Sequence, residues 1–63
     1  MTKIKARRNE LKKLYPGSWS QIDVAIKCGV SMLTYQLWER GAVKPTEENE
    51  AKLLEVLGLG SLN

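Results

Sequence analysis

The side chains that could do acid-base or nucleophilic chemistry are few in this sequence. It has no histidine and one cysteine, Cys28, so one chain cannot build a nucleophile-histidine pair, a disulfide or a His/Cys zinc site. The clustered acids Glu47, Glu48 and Glu50 lie at the start of a predicted helix, where negative charge suits the helix dipole. Cys28 fits the role of a small core residue. The sequence therefore predicts no enzyme, no metal or other cofactor and no small-molecule ligand.

Positive charge is the chemistry that remains, and it is concentrated towards the N-terminus. The net charge is +3, but residues 1–30 carry seven Lys and Arg against two acids, and residues 31–63 carry three against five. Six of the cations fall on the first predicted helix: Lys3, Lys5, Arg7, Arg8, Lys12 and Lys13. Such a surface could make salt-dependent contacts to phosphate, or it could be an ordinary solvated helix face. Both interpretations remain open.

Two serines mark the starts of two further helices. Ser20 and Ser31 each stand where a side-chain oxygen can accept hydrogen bonds from the unpaired amides of a starting helix. Asp23 completes a capping box with Ser20, and Trp19 and Val30 can each pack five residues further on. Because glycine readily adopts a left-handed conformation, Gly29 is expected to end the first of these helices. The pattern predicts a helix-turn-helix.

Four helices are predicted in all, without a repeat or a linker. The first covers about residues 3–15, and the fourth begins after Thr46 and ends at Gly58. The predicted core face of the first helix is Ile4, Leu11, Leu14 and Tyr15, and that of the fourth is Ala51, Leu53, Leu54 and Leu57. Residues 59–63 are expected to form a frayed or loosely docked tail. A chain this short supports one core, so residues 1–63 are expected to form a single all-α domain.

From residue 19 onward the sequence resembles, without a gap, the Cro and phage-repressor (XRE-like) helix-turn-helix family. The matching residues are Ser20-Gln21, Val24-Ala25, Cys28-Gly29-Val30-Ser31, Trp38-Glu39-Arg40-Gly41, Pro45, Leu53 and Leu57-Gly58. The resemblance implies a compact four-helix, lambda-repressor-like DNA-binding domain in which residues 20–40 are the helix-turn-helix proper. Phage repressors of the family have a fifth helix that supplies dimer contacts, and this last helix is expected to be missing here.

The resemblance also implies which residues meet DNA. The helix over residues 32–40 would lie in the major groove and offer to base edges Met32, Leu33, Thr34, Gln36 and Leu37. Phosphates would be held by Ser20, Gln21, Arg40 and Lys44. Capping alone would also explain Ser20, and ordinary surface polarity would explain Gln21 and Lys44. Glu39 would pair with an arginine of the first helix, for which Arg8 is the best candidate, ahead of Arg7 and Lys12.

Five apolar residues depart from the family pattern, because they occupy positions that are usually polar or solvent-facing. They are Ile22, Ile26, Met32, Leu33 and Leu37. Three explanations compete. The residues on the recognition helix could contact thymine methyl groups. Ile22 and Ile26, four residues apart on one helix face, could bind a protein partner or a second copy of the chain as a homodimer. Alternatively, the whole helix-turn-helix could serve protein recognition.

Taken together, these features predict a small sequence-specific transcription regulator, of a repressor or Cro-like kind, that binds double-stranded DNA. A phage, prophage or plasmid origin suits its size, and the alternative is a protein-binding adaptor or an antitoxin. No apolar stretch approaches the roughly 20 residues that span a bilayer, and no signal-peptide hydrophobic region follows the basic N-terminus. The expected location is therefore the cytoplasm, with the nucleoid, and no membrane partner is expected.

Overall fold

The computed structural model describes residues 3–60, which form four α-helices and no strand within that range. In chain order these are α1 (Lys3–Leu14), α2 (Gln21–Cys28), α3 (Met32–Arg40) and α4 (Glu47–Leu57). The all-α, four-helix fold predicted from the sequence is confirmed. Of the predicted tail, Leu59 packs partly buried against the core, and residues 61–63 lie outside the described residues.

Side-chain caps start three of the helices where the sequence predicts them. The Asp23 amide donates to Ser20 Oγ at 3.2 Å, and the Ser20 amide donates to Asp23 Oδ2 at 3.1 Å, so the predicted capping box is present. Ser31 Oγ accepts from the Thr34 amide at 3.2 Å at the start of α3. Thr46 caps α4 in the same way. Each cap satisfies an amide that the helix itself leaves without a partner.

Gly29 ends α2 as predicted, with a φ of 73° in the left-handed region. This conformation turns the chain so that the Val30 amide donates back to the Ala25 carbonyl at 3.0 Å. Residues with a Cβ rarely adopt it, because the side chain crowds the backbone there. The three-residue turn from Gly29 to Ser31 therefore depends on glycine at its first position.

The hydrophobic core collects residues from all four helices. Its buried members are Ile4, Leu11, Val24, Ala25, Cys28, Tyr35, Trp38, Leu53 and Leu57. α2 packs against α3 and α4, and α1 packs against the same two helices. Tyr35 and Trp38 meet edge to face within the core, with ring centroids 6.4 Å apart. Trp19 and Val30, which the sequence predicts to pack against residues five positions further on, lie partly buried against this cluster.

Three residues predicted for the core are exposed instead. Leu14 and Tyr15 are 67% and 58% exposed, because burial along α1 stops at Leu11 and the last turn faces solvent. The middle of the buried stripe of α1 is a charged residue, Arg8, which a search for apolar periodicity passes over. Ala51 lies two residues before Leu53, roughly 200° around the helix, and so falls on the opposite, exposed face of α4.

Leu54, the remaining predicted core residue of α4, is half-buried. Across the part of the chain that the structure describes, no helix is both long and apolar enough to cross a membrane.

Candidate nucleic-acid interface

A buried ion pair between Arg8 of α1 and Glu39 of α3 lies beneath the candidate interface. The side chains are 8% and 2% exposed. Arg8 Nε donates to Glu39 Oε2, and Arg8 Nη2 donates to Glu39 Oε1 at 3.4 Å. Arg8 Nη1 also donates to the Trp19 carbonyl at 3.2 Å, just before α2 begins. The structure thus contains the ion pair for which Arg8 is the best candidate in the sequence, and the pair holds α1 against the helix-turn-helix.

Glu39 is ionised in this environment. Burial works against its charged form, but the hydrogen bonds from Arg8 and Gln21 and the charge of Arg8 outweigh burial and hold the pKa of Glu39 below its ordinary value. The pKa of Arg8 is raised, because its hydrogen bond and charge interaction with Glu39 outweigh burial. Burial, and then the neighbouring Glu39, raise the pKa of Tyr35 far above its usual range. An ionised Glu39 can accept hydrogen bonds but cannot donate them.

Two glutamines extend this ion pair to the protein surface. Gln21 Nε2 donates to Glu39 Oε1 at 3.1 Å, and Gln36 Nε2 donates to Gln21 Oε1 at 3.0 Å. The result is one hydrogen-bonded chain, Arg8–Glu39–Gln21–Gln36, which we call the amide relay. It joins three helices, since Gln21 is the first residue of α2 and Gln36 lies in the middle of α3. Both glutamines are half-buried.

The amide relay opens into a groove lined by residues of three helices. The lining residues are Lys5, Gln21, Gln36, Glu39 and Arg40. Lys5 and Arg40 are exposed cations, so the groove combines hydrogen-bonding amides with positive charge. Such a combination suits the bases and phosphates of a nucleic acid. The structure therefore brings together Gln21, Gln36 and Arg40, which the sequence resemblance assigns to DNA contact.

Lys5 is one of the six cations of the first helix whose contact with phosphate the sequence leaves open, and it is not among the residues that the family resemblance assigns to DNA. A signal for its position does exist. Lys5 precedes Arg8 by three residues and so shares its helix face, and pairing of Arg8 with Glu39 places that face beside α3. No comparable signal reveals the Gln36–Gln21 hydrogen bond. This hydrogen bond depends on the angle at which α2 and α3 cross, and the spacing of the two residues in the sequence does not predict that angle.

The remaining predicted base contacts lie along the exposed side of α3. Met32 and Leu33 are 42% and 64% exposed. Thr34 is half-buried and its Oγ1 accepts a hydrogen bond from Ser31 Oγ at 2.9 Å. Leu37 is half-buried, so packing accounts for part of its apolar character. Lys44 is exposed in the loop that follows α3.

Ser20 and Gln21, the two predicted phosphate contacts on α2, already have partners within the protein. Ser20 Oγ accepts from the Asp23 amide and donates to Asp23 Oδ2 at 2.8 Å. The hydrogen bonds that the Ser20 hydroxyl and the Ser20 amide donate to the Asp23 carboxylate lower the pKa of Asp23. The Gln21 side chain takes part in the amide relay. Their contact with phosphate remains a prediction.

Ile22 and Ile26 lie on the outer face of α2. They are 44% and 69% exposed, as the sequence pattern suggests. A partner for them, whether another protein or a second copy, also remains a prediction.

Two other features of the described chain bear on chemistry. Cys28 is buried, and burial raises the pKa of its thiol, which disfavours the reactive thiolate. Among residues 3–60, no group of three or more His, Cys, Asp or Glu side chains is placed to hold a metal ion.

Comparison with known proteins gives one result. A family model described as helix-turn-helix matches residues 4–62, which is nearly the whole chain. Neither the curated proteins nor the solved structures gave a significant match. The family match agrees with the paired caps, the glycine turn and the buried Arg8–Glu39 pair described above. The chain therefore belongs to the XRE-type (Cro/repressor) helix-turn-helix family of DNA-binding regulators.

Proposed function

We propose that this protein is a sequence-specific transcriptional regulator of phage, prophage or plasmid type that occupies an operator with α3 in the major groove. It acts in the cytoplasm, on DNA of the nucleoid. The observation that carries the proposal is the groove that Gln36 lines together with the cations Lys5 and Arg40. A hydrogen-bonding amide and cations that line the same groove match what a base edge and the neighbouring phosphates require.

Each predicted contact has a distinct task in this proposal. Gln36 reads a base edge by hydrogen bonds, while the exposed Met32 and Leu33 contact thymine methyl groups. Thr34 and Leu37, which are half-buried on the same helix, also contact the bases in this proposal. Arg40 and Lys44 bind phosphates, and the start of α2, with Ser20 and Gln21, approaches a phosphate on the other side of the groove. Ionic contacts of this kind supply affinity for any sequence, whereas the contacts from α3 supply preference.

The test begins with selection of bound fragments from random double-stranded DNA by the wild-type protein. Binding of the selected site is then compared with binding of a scrambled site for Gln36→Ala and Lys44→Ala. We expect Gln36→Ala to reduce the preference for the selected site by about 5- to 100-fold. We expect Lys44→Ala to weaken both sites alike and to flatten the dependence of affinity on salt.

The two variants serve as matched controls for one another, because one removes a base contact and the other a phosphate contact. Equal effects of the two substitutions on preference and on salt dependence would contradict the assigned roles. If the wild-type protein does not retard DNA in a gel-shift assay even at low salt, the proposed DNA binding is wrong.

A further inference from the structure

The amide relay has a fixed direction, and this direction sets which atoms Gln36 can offer to DNA. A carboxamide has an acceptor oxygen and a donor nitrogen, and an isolated glutamine on a protein surface can present either of them. In the relay, each residue fixes which carboxamide atom the next one must present, beginning at the buried Arg8–Glu39 pair. Glu39 is ionised beside Arg8, so Gln21 must point its Nε2 at the carboxylate. The Gln21 Oε1 then faces Gln36, and only a donor can satisfy it.

Gln36 supplies that donor through its Nε2, which lies 3.0 Å from Gln21 Oε1. The Gln36 Nε2 has a second hydrogen, and the hydrogen bond to Gln21 does not use Gln36 Oε1. Gln36 therefore offers one acceptor and one donor to a ligand in the groove. It cannot offer two donors without breaking the hydrogen bond to Gln21.

Among the four bases, adenine shows in the major groove the donor and acceptor that complement the acceptor and donor of Gln36. Its N6 amino group is the donor and its N7 is the acceptor. Guanine shows two acceptors, N7 and O6, which would require two donors. We infer that Gln36 reads an adenine in the operator, and that Gln21 is a positioning residue that enforces adenine over guanine by fixing the orientation of the Gln36 amide. This inference rests on the proposed function, because it requires α3 to lie in the major groove.

The obvious variant, Glu39→Gln, is a poor test of base preference, because it would leave Arg8 buried without a charge partner and destabilise the whole fold. Gln21→Ala is the better test, because Gln21 is half-buried and its replacement leaves the ion pair in place. Operators are selected from random DNA with the wild-type protein and with Gln36→Ala, and the base position that loses its preference in Gln36→Ala is identified. Affinities for adenine and guanine at that position are then measured for wild type, Gln21→Ala, Gln36→Ala and the double variant.

We expect the wild-type protein to prefer adenine over guanine there by on the order of tenfold. Gln21→Ala should reduce this ratio several-fold, but should not change it further when Gln36 is already alanine, because Gln21 acts through Gln36. Lys44→Ala is the control, since it should weaken both operators and leave the ratio unchanged. A Gln21 that only supported the fold, or only bound phosphate, would not move the ratio of two bases.

Three outcomes would overturn the inference while leaving the proposed function standing. The first is a preference for guanine at the Gln36-dependent position. The second is a ratio of adenine affinity to guanine affinity that Gln21→Ala does not change. The third is a change in this ratio on Gln21→Ala that is as large in the Gln36→Ala protein as in the wild-type protein. If the wild-type protein selects no sequence at all, the proposed function fails, and the inference fails with it. The selection step therefore separates the two failures.

Discussion

Glu39 is the residue on which hydrogen bonds from α1 and α2 converge within α3. It accepts from Arg8 and Gln21, and its side chain is 2% exposed. A charge in such a position is tolerated only with its partner present, because neither ion is solvated by water. Its value to the fold is therefore best measured by removing one partner.

Glu39→Ala is expected to lower the free energy of unfolding by about 3–5 kcal/mol, because it leaves the Arg8 guanidinium buried without its counter-ion. Urea denaturation followed by circular dichroism would measure the loss. The matched control is Glu48→Ala, which removes the Glu48–Lys52 ion pair at 3.9 Å, where the Glu48 side chain is 83% exposed. That change should be less than about 0.5 kcal/mol. Similar losses from both variants would mean that burial of the Arg8–Glu39 pair does not determine its importance.

The same carboxylate predicts a pH dependence of stability. The pKa of Glu39 is lower in the folded protein than in the unfolded chain, where it is about 4.3. Its stabilising contribution is therefore complete above that value and disappears as the pH falls through the folded pKa. We expect the difference in urea midpoint between the wild-type protein and Glu39→Gln to be largest at pH 7 and to narrow below about pH 4. A difference that stays constant from pH 7 to pH 3 would contradict ionisation of Glu39 in the folded state.

At the scale of elements, the boundaries of the helices follow from local chemistry and were predictable. The hydroxyls of Ser20, Ser31 and Thr46 cap their helices by accepting hydrogen bonds from amides of the first turn, and Gly29 ends α2. Each of these interactions involves residues only a few positions apart in the sequence. The buried faces were less predictable. Leu14 continues the apolar stripe of α1 but lies beyond the core, because periodicity shows which way a residue points and not whether another helix lies there.

The candidate site divides in the same way. The pairing of Arg8 with Glu39 followed from the family resemblance and is present in the structure. The Gln21–Gln36 hydrogen bond joins residues on two helices, and only their packing reveals it. A contact between two helices was therefore predictable only where the family resemblance supplied it. The Gln21–Gln36 contact, which the resemblance did not supply, required the structure.

Gly29→Ala tests the turn that fixes this crossing. A methyl group at position 29 would meet no atom within 4 Å, but the φ of 73° is strained for alanine. We expect a loss of about 1–2 kcal/mol in the free energy of unfolding, measured by urea denaturation. Gly60→Ala is the control, since a methyl group there also meets nothing and its φ is not in the left-handed region. If the two variants lose equal stability, strain at Gly29 is not the cause.

At the scale of the whole molecule, the positive charge is divided between structure and surface. Arg8 is consumed by the buried pair, and Arg7 Nε donates to the Leu57 carbonyl at the end of α4 at 2.8 Å. The positive charge of Arg7 at this carbonyl is stabilised by the negative, C-terminal end of the α4 dipole. The basic N-terminal half is therefore partly a device that fastens α1 to the other helices. Fewer of its cations are available for phosphate than the seven Lys and Arg of residues 1–30 suggest.

The location of the remaining cations predicts how DNA affinity depends on salt. Arg40 lines the groove, whereas Lys13 lies eight residues along α1 from the groove residue Lys5, a distance of about 12 Å. We expect Arg40→Ala to reduce the slope of log affinity against log salt by about one, and Lys13→Ala to leave it unchanged. Titrations at several salt concentrations would measure both slopes. A reduced slope for Lys13→Ala would mean that the far end of α1 also meets the DNA backbone.

The hydrogen bond shared by Gln21 and Gln36 also has an evolutionary consequence. A substitution at position 36 that removes the amide leaves the Gln21 oxygen without its donor, and a substitution at position 21 frees Gln36 to rotate. A descendant that acquires a new operator cannot therefore exchange the recognition helix alone without loss. The two positions are expected to change together among relatives, so that specificity in this lineage is inherited as a pair of residues.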